Sequence, residues 1–146
     1  MTLTRAGKAA ACFAEGYSCS QAVCAAFAED FGIDRDTALK LSCGFGGGVS
    51  HTGNTCGAVS GAILVIGMKY GRTGHDCPEA KARTYAKVNE FITEFLRRNH
   101  STCCTTLLDC NLSDPKELAR ARETGIMKAR CPGFVQDAVE ILEKIV

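Results

Sequence analysis

The chain contains no CxxC pair, no CxxCH, no run of basic residues, no acidic tail and no long apolar stretch. Each absence excludes something. Without CxxC there is no thioredoxin-type redox motif, and without CxxCH there is no covalent c-type haem. Lys+Arg 17 against Asp+Glu 16 leaves a net charge of +1, so no electrostatic footprint for nucleic acid or an anionic membrane is present. The most apolar stretch, Ala58 to Met68, falls well short of the roughly 20 residues that a spanning helix needs. Lys8 and Glu15 interrupt the opening segment, which therefore does not read as a secretory signal. No alternating β-type run, internal repeat or domain boundary is visible. No acid–base pair suggests hydrolytic chemistry, and Asp76 and Glu79 read as helix-start charges.

What the chain has is thiols: ten cysteines in 146 residues. The expected compartment is the cytoplasm, where glutathione-type buffers keep thiols reduced, so a static disulfide framework is not expected. A single domain of this length can bury enough surface to fold without one.

The periodicity is helical nearly throughout and predicts an all-α single-domain bundle of about five to seven helices, residues 1–146. Leu3, Ala6, Ala10 and Phe13 mark a first amphipathic helix that ends before Gly16. Ser18 with Gln21 forms a capping-box pair. The helix it opens carries Val23, Ala26, Phe27 and Phe31 and stops at Gly32. Asp34 starts a third helix through Leu41. A glycine-rich loop, residues 43–57, then runs into a helix capped by Thr52, Asn54 or Thr55. That helix extends to about Tyr70 and is apolar on nearly every side, which places it at the centre of the bundle. Its Gly57, Gly61 and Gly67 invite close packing by another backbone. Pro78 follows Asp76-Cys77 as a first helical residue and opens a long helix expected to bury Tyr85, Val88, Phe91, Ile92 and Phe95. Short helices are expected at Cys103-Cys104 and from Asp114-Pro115 to Gly125. A last helix is expected after Cys131-Pro132, with Val135, Ala138, Leu142 and Ile145 on one face.

On this reading Cys19, Cys56, Cys104 and Cys131 each stand at a helix start, as does Cys77. Unpaired N–H groups and the helix dipole favour a thiolate there. The four are separated by 37, 48 and 27 residues, which matches no zinc finger or bacterial ferredoxin run. Cys12 and Cys24, inside helices beside Ala and Val, read as small core residues. Cys43 is a reserve ligand or exchange partner, and Cys77 and Cys110 read as exposed thiols without a role. Neighbouring helix positions point about 100° apart, so Cys103 and Cys104 supply one ligand between them. His51, His75 and His100 lie near cysteines in sequence and read as accidental neighbours. The loop glycines, among them Gly46, Gly47 and Gly57, let backbone N–H groups approach a buried anion. No Walker lysine follows, so a nucleotide phosphate is a weak candidate, whereas an iron–sulfur cluster is also an anion.

The element Thr55-Cys56-Gly57-Ala58-Val59-Ser60-Gly61 resembles the centre of the C_GCAxxG_C_C family of redox-active proteins. Tyr17-Ser18-Cys19-Ser20-Gln21-Ala22-Val23 resembles the family's first cysteine element, and Gly44-Phe45-Gly46-Gly47-Gly48 its glycine-rich segment. Tyr70-Gly71-Arg72-Thr73 follows. Ser101-Thr102-Cys103-Cys104 with Leu107-Leu108 places the third cysteine on Cys104, and Cys131-Pro132 gives the fourth. Thr55 replaces the glycine that the family label places before its central cysteine. The resemblance implies a redox role, and a related module in split-Soret cytochromes c is associated with an iron–sulfur centre.

Three functions follow as expectations. The first is electron transfer or redox sensing by a [2Fe–2S] cluster on Cys19, Cys56, Cys104 and Cys131, with Gly46, Gly47 and Gly57 around it. The second is cluster-free thiol–disulfide exchange between two of these cysteines, and the third is a structural zinc site on the same four. A redox partner protein is expected, no nucleic acid and no membrane, with a homodimer left open. The four thiols are expected in one pocket, with loop N–H groups facing them.

Overall fold

The computed structural model describes residues 3–146. Eight right-handed helices make up the described fold: α1 (Arg5–Ala14), α2 (Cys19–Ala28), α3 (Arg35–Ser42), α4 (Gly57–Tyr70), α5 (Pro78–Asn99), α6 (Cys104–Leu108), α7 (Pro115–Thr124) and α8 (Ile126–Ile145). The local chemistry sets most boundaries. Thr4, Ser18, Asp34 and Asp114 each accept a backbone N–H from the first turn of their helix, and Ser18 with Gln21 completes the expected capping box. Pro78 and Pro115 open α5 and α7, where a missing N–H costs nothing. Among the described residues the sole β feature is an isolated antiparallel bridge, Thr55 with Cys103.

Helix α4 is the centre. Ala58, Val59, Ala62, Val65 and Ile66 enter the main core, while Leu64 and Met68 pack against a small cluster of Cys24, Ala28 and Ala38. A helix flanked by partners on several sides has no polar face to present, which is what its uniform apolarity indicated. Its closest neighbour is α2. A Cβ on Gly61 would stand 2.7 Å from the Ser20 carbonyl oxygen, so only glycine permits this crossing. Phe91 and Phe95 of α5 stack at 5.9 Å and are fully buried with Val135, Ala138 and Leu142 of α8. Each of the Phe, Val and Leu side chains contributes about 1.5–3 kcal/mol by burial. A second, smaller core of Cys104, Leu108, Cys110, Leu112 and Ala121 lies under α6 and α7. Phe134 packs against both cores.

Several local expectations are corrected. The last helix begins at Ile126, not after Pro132, so Cys131 lies inside α8 rather than at a helix start. Gly125, left-handed at φ 69°, ends α7 and turns the chain straight into α8. Ile126 and Met127 pack on the second core, which rewards the additional turns. Pro132 leaves the Lys128 carbonyl without its helical donor, a cost that this packing offsets. The N-cap of α4 is Cys56 itself; Thr52 instead donates to the Gly48 and Val49 carbonyls, and Asn54 to Thr52. Tyr85 is 60% exposed and Leu3 58%, because α5 and α1 bury other faces. In α1 the buried residues are Ala9 and Cys12. Gly67 has open space around it and serves no crossing. Cys110 is buried, its thiol donating to the Glu117 carbonyl at 3.5 Å.

Candidate functional site

Three chain segments deliver three of the cysteines. The Ser18 cap holds Cys19 at the first position of α2, and Cys56 occupies the N-cap of α4. The α2–α4 crossing brings them together: a Cβ on Gly57 would stand 2.5 Å from the Cys19 sulfur. The isolated bridge then ties Cys56 to Cys104. The Cys56 N–H donates to the Thr102 carbonyl at 2.7 Å, and the Cys104 N–H to the Asn54 carbonyl at 2.6 Å. Cys131 reaches the same place from the body of α8. All four line one cavity of about 840 Å³, together with Cys43, Gly46, Gly47, His51 and Gly57. Cys19 and Cys56 belong to the main core, whereas Cys104 and Cys131 pack with the second, so the cavity lies on the seam between the two. Cys12 and Cys24 are core residues, as their positions beside Ala and Val indicated. Cys77, Cys103, His75 and His100 do not line the cavity.

The glycine loop forms one wall by an unusual route. Gly47, Gly48, Val49, Ser50 and His51 all have positive φ, from 52° to 69°, making a short left-handed turn. Left-handed backbone costs a non-glycine residue about 1–2 kcal/mol, and Val49 is β-branched. The turn is held by its own bonds: the Asn54 N–H reaches the Gly48 carbonyl at 2.8 Å, and the Ser50 hydroxyl the Gly44 carbonyl at 2.8 Å. The His51 ring fills the space that a side chain on Gly47 would need. A Cβ on Gly48 would stand 2.6 Å from that of Cys104, and one on Gly46 2.7 Å from that of Ser18. The outcome is that the Gly47 N–H faces the Cys19 sulfur.

The four thiols differ in charge. The Cys56 thiol, hydrogen-bonding to the Cys19 sulfur, lowers the Cys19 pKa to about 7 against the opposing effect of burial; the N–H groups of Ser20, Gly47 and Cys19 itself assist. The same interaction, with burial, pushes Cys56 well above the usual thiol range, although the Ala58 and Val59 amides at the start of α4 favour its charge weakly. Burial pushes Cys104 and Cys131 up to about 12, with negative charge on Cys19 adding to each. Of the four, Cys19 is the one whose surroundings favour the thiolate. Charging all four would require a cation between them. Among the described residues no three His, Cys, Asp or Glu side chains converge on a single point as ligands of one metal ion.

The family model for "Putative redox-active protein (C_GCAxxG_C_C)" matches residues 17–145. The chain belongs to the C_GCAxxG_C_C family. No curated protein and no solved structure matches it. The matched span includes all five cysteines that line the cavity and the left-handed turn, and leaves out the whole of α1. Sequence reasoning missed the non-sulfur wall, where Phe13, Tyr17, Met127, Lys128 and Phe134 line the cavity. Their helical spacing reads as ordinary packing, and nothing in it signals a shared opening.

Proposed function

We propose that the protein holds an iron–sulfur cluster, [2Fe–2S] in type, on Cys19, Cys56, Cys104 and Cys131, and uses it in electron transfer or redox sensing. The observation that carries this reading is that Cys19, Cys56, Cys104 and Cys131, brought from four separate helices, line one cavity. The donor set fits the group. Four thiolates satisfy a [2Fe–2S] cluster two per iron, so pairs of cysteines suffice and no three need converge on one point. Bound there, the cluster would supply a one-electron couple. The chain supplies the rest. The amides of Ser20 and Gly47 stabilise negative charge at the Cys19 sulfur. The tied backbone at Thr55 and Cys103 keeps Cys56 and Cys104 in register. A structural zinc site on the same cysteines is the weaker reading, because it requires the convergence on one ion that the described residues lack.

One observation favours a second reading, thiol–disulfide exchange at Cys19 and Cys56. Here a thiolate sits beside a protonated thiol, the arrangement that exchange requires. The Cys19 thiolate would attack a partner disulfide and release one partner thiolate. Cys56, losing its proton, would then displace the second and close the Cys19–Cys56 bond. Anaerobic reconstitution with iron and sulfide separates the readings. The cluster reading expects a brown protein with about two irons per chain, lost when any of the four cysteines is changed to Ala. A colourless, iron-free product that loses two thiols per chain on oxidation would overturn it in favour of exchange.

A further inference from the structure

The cavity is larger and more apolar than four sulfurs require. At about 840 Å³ it lies in the upper part of the range for sites that hold drug-sized organic molecules. Its lining also includes Phe13, Tyr17, Phe134 and Met127, all half-buried. Aromatic faces and a polarizable sulfur suit a flat ring system. The lining includes a single Lys or Arg, Lys128, and no Asp or Glu. Lys128 is exposed, so it stands where the cavity meets water. A ligand matched to this surface has an aromatic body inside and a negative group outside.

We propose that this cavity binds a planar aromatic molecule carrying one acidic group, its ring system against Phe13, Tyr17 and Phe134 and its acid at Lys128. The site stands on the wall and its charge, whatever the sulfurs hold, and so goes beyond the redox reading. Such a molecule occupies the same chamber as the Cys19 thiolate. It therefore controls which reagents reach that sulfur.

Binding is tested on the reduced, metal-free full chain with two fluorescent probes, anilinonaphthalene sulfonate and the uncharged N-phenyl-1-naphthylamine. The sulfonate is expected to bind saturably at one per chain and to slow alkylation of Cys19 by iodoacetamide. K128E, at an exposed position, should weaken the sulfonate about fivefold and leave the uncharged probe within about twofold. A10W, exposed on α1 and lining the cavity, should abolish binding of both while the melting curve stays unchanged. Sulfonate binding that is unsaturable, or equal in wild type and K128E, would overturn the proposal. If A10W fails to fold, the K128E comparison and Cys19 protection decide alone. Because iron is absent throughout, a failure here is distinct from a failure to assemble a cluster.

Discussion

Cys19 and Cys56 have the same side chain, and each stands at the start of a helix, yet the surroundings lower the pKa of Cys19 and raise that of Cys56. The difference is the number of donors. Cys19 receives the Cys56 thiol and the amides of Ser20 and Gly47, whereas Cys56 faces a negative neighbour. Removing the thiol donor with Cys56→Ala should raise the Cys19 pKa from about 7 toward the ordinary thiol value. Alkylation of Cys19 at pH 7 should then slow by roughly tenfold, measured as the pH profile of iodoacetamide labelling. An unchanged midpoint would show that the amides alone hold the charge. Val49 makes the second residue-scale case. It has φ 69° and is 39% exposed, so its side chain returns little burial for the strain it bears. Val49→Gly should therefore stabilise the protein by about 1 kcal/mol in denaturant melts, against the usual direction of large-to-small changes.

At the scale of elements, the α2–α4 crossing decides where the sulfurs meet. Gly61→Ala would drive a methyl group to 2.7 Å from the Ser20 carbonyl. It should cost about 1–3 kcal/mol by overpacking. Gly67→Ala, six residues further along the same helix, meets nothing within 4 Å. It should stabilise α4 by roughly 0.5–1 kcal/mol through helix propensity. Equal effects from the two would refute the close crossing. The glycine loop has its own test. Gly47→Val must displace the His51 ring and leave a left-handed backbone, which moves the N–H off the Cys19 sulfur. The expected result is lost or shifted cluster absorption per folded protein, beyond what the melting curve explains.

The whole molecule carries two cores with the cavity on their seam, so occupancy and stability are linked. In the metal-free reduced protein, Cys104 and Cys131 stay protonated up to about 12, while unfolded thiols ionise near pH 8.5. Between those values the folded chain binds more protons than the unfolded one, so stability falls as pH rises. Cys19 works oppositely between about 7 and the unfolded value, but it is one group against several raised ones. Denaturant midpoints should therefore drop above about pH 9, and the drop should be shallower with both Cys104 and Cys131 changed to Ala. Iron loading should remove this dependence. It should also raise hydrogen-exchange protection in α6, which is only five residues long and belongs to the second core.

Much of this was legible along the chain. The capping box at Ser18, the proline-led starts of α5 and α7, and the all-round apolarity of α4 are local signals, because caps and periodicity act within one or two turns. Four of the five cysteines that line the cavity were also singled out by sequence position, three of them for the correct local reason. Cys131 was placed at a helix start because Pro132 reads as a first helical residue. The second core rewarded an earlier start at Ile126, and that reward depends on residues far away in sequence. The left-handed run at Val49, Ser50 and His51 was illegible because Val49 and Ser50 do not favour positive φ. Only the bonds to Gly44 and Gly48 and the packing against Cys104 make it the lower-energy path. What the sequence determined by itself is the helices and the thiols at their ends, since both are set by neighbours along the chain. Which thiol ionises most readily, and the aromatic side chains that line the cavity with it, were decided by tertiary structure, since both depend on groups that meet only when α1, α2, α4 and α8 pack.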